Sequence, residues 1–129
     1  MRKTINTKKA PAPLGPYNQA ILAGNILFTS GQIAIDEEGD AFVSEGIKEE
    51  TKKVMENLRE VLAEAGMDFS HVVKASIFLS SMDYFLEVND AYGKYFSDLD
   101  SAPAREAVEV SQLPKNANVE ISLIAVKTE

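Results

Sequence analysis

Asn118-Val119-Glu120-Ile121-Ser122-Leu123-Ile124-Ala125-Val126 alternates with the two-residue period of a β-strand. Val119, Ile121, Leu123 and Ala125 fall on one face, while Ile124 and Val126 share the other with Glu120 and Ser122. A strand that is apolar on both faces is expected to be covered on both. The helices of this chain supply one cover, so the open face of the sheet is expected to pack against another subunit. Glu120 and Ser122 then lie on the inter-subunit face.

Fifteen positions before Glu120, Arg105 stands inside a second alternating stretch, Pro103-Ala104-Arg105-Glu106-Ala107-Val108-Glu109-Val110. A guanidinium on the inward face of a strand is costly unless an anion meets it, and its planar fork fits a carboxylate bidentately. Two readings follow from the residue types. Arg105 and Glu120 either pair across neighbouring strands or point to water as structural charges, or together they form a site for a small acid.

Upstream, His71 to Ser80 reads as a strand with Val73, Ala75, Ile77 and Leu79 on one face and Val72, Lys74, Ser76 and Phe78 on the other. Asp83 is placed to cap a second helix whose inward stripe is Phe85, Val88, Tyr92 and Phe96. Ile47, Thr51, Val54, Leu58, Val61, Leu62 and Ala65 recur at helical steps. They predict a first helix from an N-cap at Ser44 to about Ala65, closed by Gly66. Its Glu45, Glu49, Glu50, Glu56, Glu60 and Glu64 interleave with Lys48, Lys52, Lys53 and Arg59, the pattern of a solvated face held by i,i+4 pairs.

Before the first helix, Gln19 to Ala23 and Ile26 to Ser30 flank Gly24-Asn25 and predict a hairpin, while Glu38-Gly39-Asp40 reads as a turn. The loop Ala10-Pro11-Ala12-Pro13-Leu14-Gly15-Pro16-Tyr17 is stiffened by three prolines and presents Tyr17. Lys3 to Asn6 supplies a short first strand. The order ββαβαββ, with that short strand added, predicts an α+β fold: two helices on one face of a mixed six-stranded sheet.

A chain of 129 residues fits one domain, residues 1–129. It has no cysteine and a single histidine, His71, so thiolate catalysis, Cys-ligated metals and His-rich metal centres are excluded. His71 reads as structural. The 20 acidic against 13 basic residues, net −7, disfavour general nucleic-acid binding. No apolar run approaches the ~18 residues of a membrane span, and Met1 to Asn6 lacks an apolar signal core, so a soluble cytoplasmic protein is expected.

Pro103-Ala104-Arg105-x-x-Val108-x-Val110-x-x-Leu113-Pro114 followed by Val119-Glu120-Ile121 resembles the C-terminal signature of the RidA (YjgF) family. The resemblance extends to Gly15-Pro16-Tyr17, Thr29-Ser30-Gly31-Gln32, Ala65-Gly66 and Val88-Asn89-x-x-Tyr92, so it spans the chain. It implies a chorismate-mutase-like protomer and a homotrimer with clefts between subunits. It also implies 2-iminobutanoate/2-iminopropanoate deaminase activity without a cofactor. Such enzymes hydrolyse the enamine and imine acids released by pyridoxal-phosphate-dependent serine and threonine dehydratases, giving 2-oxo acids and ammonia.

Carried over by position, the resemblance implies that Arg105 grips the substrate carboxylate and Glu120 orients water. It further implies that Tyr17 and Ser30 line the pocket and that the backbone at Gly31 and Ala107 offers hydrogen bonds. Asn89 matches a polar cleft position. Two positions depart from the pattern: many members carry a small polar or aliphatic residue where Glu106 stands, and a cysteine where Ala107 stands. Two other readings stand beside the deaminase: a non-enzymatic module that binds small 2-oxo or related carboxylates in the same pocket, and the RNA cleavage or translational inhibition attributed to some relatives. The acidic charge counts against the last.

Overall fold

The computed structural model describes residues 1–39, 41–43, 45–96 and 98–127. Its elements run β1 (Arg2–Ile5), β2 (Ala20–Ala23), β3 (Ile26–Thr29), α1 (Ile47–Glu64), β4 (Val72–Leu79), α2 (Phe85–Gly93), β5 (Ala104–Glu109) and β6 (Val119–Val126). The six strands form one sheet in the order β1-β2-β3-β6-β4-β5. Only β4 and β5 pair in parallel, the arrangement that needs a crossover, and α2 lies on that crossover.

The last strand is central, flanked by β3 and β4. Val119, Ile121, Leu123 and Ala125 are buried in one cluster with Val54, Leu58 and Leu62 of α1 and with Val88 and Tyr92 of α2. Both helices therefore cover the same face, as the alternation predicts. On the other face Glu120, Ser122, Ile124 and Val126 are half-buried. Phe28 and Val108, which pair into that face opposite Ile124 and Phe78, remain 45% and 43% exposed. At one end of that face Phe78 packs against a second cluster of Ile33, Ile35, Leu113 and Ala117, and the described residues leave the remainder, with Phe28 and Val108, without the second cover that the sequence calls for.

Four local expectations are corrected. Two residues of β4, Val72 and Val73, oppose one position of β6, a bulge that turns Val72 into the core and leaves Val73 exposed. The facing of β4 read from simple alternation therefore holds only from Lys74 onward. Asp83 does not cap α2. Instead the Ser81 side chain accepts from the Asp83 N–H and caps a short 3-10 turn, Met82–Tyr84, that runs into the helix. Helix α1 begins after Gly46, which makes no side-chain capping bond, and the expected cap at Ser44 lies outside the described residues, as does Asp40 of the preceding turn.

The fourth correction concerns the carboxylates of α1. Glu50 is fully buried, and its oxygens accept from the N–H groups of Asn118 and Val119 at 2.7 and 3.1 Å and from the Asn118 amide at 3.1 Å. It thereby ties α1 to the first residues of β6. Glu56 accepts from the Tyr95 hydroxyl at 2.6 Å. Lys48 and Lys53 reach Asp90 and Glu37 in other segments rather than neighbours one turn away. A charge pattern at helical spacing does not distinguish a solvated carboxylate from one that meets a strand end.

The C-terminus of α1 follows the sequence closely. Met67 N–H bonds to Leu62 O and Gly66 N–H to Ala63 O, both at 2.9 Å, which is the Schellman pattern, with Gly66 at φ +74°. A Cβ on Gly66 would also lie 3.0 Å from the Lys127 ammonium that bonds Ala65 O. Gly66→Ala is expected to destabilise the chain by about 1–2 kcal/mol through the left-handed conformation alone. Chemical denaturation with an unchanged slope checks it, and an unaltered midpoint would contradict the assignment.

Candidate active site

Arg105 is held by one face of α2. It sits opposite Ala75 in the β4–β5 register, and Ala75 is fully buried on the helix side, so the guanidinium points toward the helix layer. Its Nη1 donates to Asn89 Oδ1 at 2.7 Å. Its carbon lies 5.6 Å from the centre of the Phe85 ring and 5.2 Å from that of Tyr92. Phe85, Asn89 and Tyr92 are spaced i, i+4, i+7, so one helical stripe supplies two cation–π faces and an amide oxygen. No carboxylate lies within ion-pair distance of Arg105 among the described residues.

The aromatic platform is a feature that the sequence reading assigned only to packing. The signal was present in the motif Val88-Asn89-x-x-Tyr92, which puts Asn89 and Tyr92 one turn apart on the stripe that begins at Phe85. Tyr92 is buried and its hydroxyl has no hydrogen-bond partner among the described residues. Burial pushes this phenol up to about 12 against the opposing pull of Arg105. It stays protonated throughout the neutral range.

Glu120 occupies the other face. It pairs opposite Phe78 on the open side of the sheet, and its carboxylate has no hydrogen-bond or ion-pair partner among the described residues. Burial pushes the Glu120 carboxyl above the usual range, with no cation to pull it back. Gln32 and Ile121 exchange backbone hydrogen bonds at 2.9 and 3.1 Å, which lays Gly31 alongside Glu120. A Cβ on Gly31 would stand 2.3 Å from Glu120 Oε2 and 2.9 Å from its Cγ. Only a glycine leaves room for that side chain.

Tyr17 shares this half of the site. The buried Gln19 amide donates to the carbonyls of Thr7, Ala10 and Pro11 at 3.0, 3.2 and 2.8 Å and accepts from the Thr7 N–H at 2.7 Å. That clamp, together with the prolines, fixes the loop. The Tyr17 hydroxyl accepts from the Leu14 N–H at 3.2 Å, which leaves its own proton available to donate outward. Tyr17, Gly31 and Glu120 line one small hollow of about 80 Å³ with Gln32 and Pro114.

The remaining sequence-stated residues divide between the two regions. Ser30 lines a neighbouring hollow with Tyr17, and its hydroxyl donates to Asn18 O at 2.6 Å, so its proton is spent on the backbone. Ala107 shares the Arg105 face and packs on the helix core. Glu106 points to the opposite face, where it bonds Ser76 and pairs with Lys74 at 3.1 Å, which together hold its carboxyl below the usual range. Arg105 with Asn89, and Glu120 with Gly31 and Tyr17, are thus two separate groups in one chain. They neither pair across neighbouring strands nor meet, because β4 lies between β5 and β6 and their side chains leave opposite faces.

The family model described as Endoribonuclease L-PSP matches residues 7–127, essentially the whole described chain. The chain belongs to the RidA (YjgF) family. A RutC family protein of Pyrococcus abyssi is 47% identical over 126 residues, covering 98% of both chains. A Bos taurus protein named 2-iminobutanoate/2-iminopropanoate deaminase is 45% identical over 127 residues, 98% of this chain and 91% of that one. The crystal structure of Escherichia coli TdcF with bound serine superposes with a TM-score of 0.91 at 30% identity, covering 98% and 99%.

Within this RidA-family fold, an unpaired guanidinium can receive a carboxylate and an elevated carboxylate can accept a proton from water. Among the described residues no group of three or more His, Cys, Asp or Glu could hold a metal ion, and no helix is long and apolar enough to cross a membrane. Gly31→Ala is expected to drive the Glu120 side chain toward solvent and to lower its carboxyl pKa toward that of an exposed glutamate. Carbon-detected NMR titration of the Glu120 carboxyl reads this directly. An unchanged titration would show that the glycine does not seat the glutamate.

Proposed function

We propose that the chain hydrolyses small imine acids, and their enamine tautomers, to 2-oxo acids and ammonia, in a cleft where the Arg105 edge of one copy meets the Glu120 face of another. The observation that carries the reading is the pair of uncompensated charges. Among the described residues Arg105 has no carboxylate and Glu120 no cation within reach, and neither can serve the other inside one chain. A second copy supplies what each lacks. The open face has the exposed Phe28 and Val108 to bury in such a contact.

In this reading the substrate carboxylate lies on the Arg105 fork, and the Asn89 amide, its oxygen committed to Nη1, turns its N–H groups to the same acid. Glu120 from the neighbouring copy takes a proton as water adds to the protonated C=N carbon. The proton then passes to the nitrogen of the tetrahedral adduct. The C–N bond breaks, the hydroxyl oxygen gives its proton to the Glu120 carboxylate as C=O forms, and ammonia leaves. The Tyr17 hydroxyl donates to the adduct oxygen. No covalent intermediate with the protein is needed, because the substrate is already electrophilic and the site supplies position and a base.

The relatives named deaminases support the substrate class, and the TdcF structure with serine supports a small amino-acid-like ligand for this fold. The net charge of −7 gives no basic track for RNA. Added to a pyridoxal-phosphate-dependent threonine dehydratase, the protein is expected to accelerate the appearance of 2-oxobutanoate and ammonia. Arg105→Ala is expected to abolish that acceleration, and no acceleration by the parent protein would end the proposal. Glu120→Gln is expected to lose turnover while still binding 2-oxo acids; full turnover in that variant would remove Glu120 from the chemistry.

Two further outcomes test the geometry and the base. Arg105→Ala and Glu120→Gln, each inactive alone, are expected to regain about one quarter of parental activity when subunits are randomly mixed, since each cleft then needs one intact residue from each of two copies. No recovery would place both residues in one chain's site. Because the base form of a carboxyl with raised pKa is lost as pH falls through that value, the acid limb of kcat is expected above the ordinary 4.5 of glutamate. A limb at or below 4.5 would remove Glu120 as the base.

A further inference from the structure

Beside the Arg105 guanidinium, a hollow of about 240 Å³ opens between α2 and the turn that precedes β5. Arg105 and Asn89 stand at its polar end, and its other walls are Tyr92, Gly93, Phe96, Leu99, Ala102 and Pro103. Leu99 is 88% exposed, an apolar side chain at the rim with little against it. The hollow is several times the roughly 30 Å³ that one water occupies in the liquid. A methyl or ethyl group, the side chain of the smallest imine acids, leaves most of it empty.

We infer that this hollow is a side-chain subsite for 2-imino and 2-oxo acids carrying a branched or long aliphatic group. The inference rests on Arg105 as the carboxylate receptor proposed above. An acid anchored there has its α-carbon one bond from the carboxylate, and the substituent on that carbon reaches the hollow without crossing any charged group. Phe96, Leu99 and Pro103 then shed water against the substituent, and apolar burial drives the preference. Tyr92 is already fixed as the floor by its place under the guanidinium. The chain would thus discriminate among acids by the bulk beyond the reacting carbon, through residues that take no part in the chemistry.

The test uses stable 2-oxo acids and the whole chain, so it does not depend on turnover. Calorimetric titration with pyruvate, 2-oxobutanoate and 4-methyl-2-oxopentanoate is expected to show affinity rising up to roughly fourfold per buried methylene. Gly93 offers a clean way to fill the hollow, because an added Cβ meets nothing within 4 Å and the residue is helical. Gly93→Leu should fold at least as well as the parent. It is expected to cut the affinity ratio of the longest acid to pyruvate by at least about tenfold, two to three methylenes' worth.

Leu99→Ala is expected to lower the same ratio by several-fold by removing part of the wall. Affinity independent of chain length in the parent protein, or a ratio that Gly93→Leu leaves in place, overturns the subsite. Length-dependent binding with no deamination of any imine acid would keep the subsite and end the reaction. If no 2-oxo acid binds, and Arg105→Ala makes no difference, the receptor and the subsite fail together.

Discussion

Arg105 keeps its charge on the helix side of an edge strand with no carboxylate in ion-pair range among the described residues, a placement tolerated because α2 receives it. Two aromatic faces and one amide oxygen hold the group without neutralising it. Each ring contributes about 0.5–1 kcal/mol at a half-exposed site, less than a desolvated ion pair would gain and enough to fix the plane of the fork. An aspartate in place of Asn89 would satisfy the guanidinium and close it to ligands. The neutral amide holds the arginine and leaves it wanting an anion.

The sheet geometry then determines what else the arginine can reach. β5 and β6 both flank β4, and the parallel pairing of β4 with β5 puts Arg105 in line with the buried Ala75. Glu120 aligns with Phe78 on the reverse face. No rotamer of either side chain passes through the sheet. Segregating the opposite charges to opposite faces prevents an internal ion pair between them and leaves the Glu120 carboxyl raised by burial. The glycine at 31 serves the same end on its side, since any larger residue would push Glu120 out toward water, where its carboxyl would lose the elevation that burial gives.

Much of this frame was legible in the residues. The two-faced apolar pattern of Val119 to Val126 marked a strand with one face toward the helices and one that they leave open, and the steps from Val54 to Leu62 marked the helix that covers the first. Gly66 after an apolar stripe announced its own Schellman turn. What escaped depended on contacts between distant segments. Glu50 looks like any exposed helical glutamate until Asn118 and Val119 arrive with two unpaired N–H groups. The bulge at Val72 and Val73 breaks an alternation that the residue types alone continue. The division of Arg105 and Glu120 between faces follows from strand order, which no local pattern contains.

The separation also changes what association means for this chain. In the proposed assembly, burying Phe28 and Val108 against a neighbour covers apolar surface in the same step that brings an unpaired cation toward an unpaired carboxylate. The two charges leave opposite faces of one protomer, so in that assembly their attraction would act between copies and would favour the register in which edge meets face. In the proposed reading a substrate acid entering that register would lie between them, its carboxylate taking the arginine while the glutamate keeps its raised affinity for a proton. With the cation answered by the ligand and not by the glutamate, the proposed base would be left free to work on water. An internal salt bridge would have made the monomer more stable and left the cleft without either function.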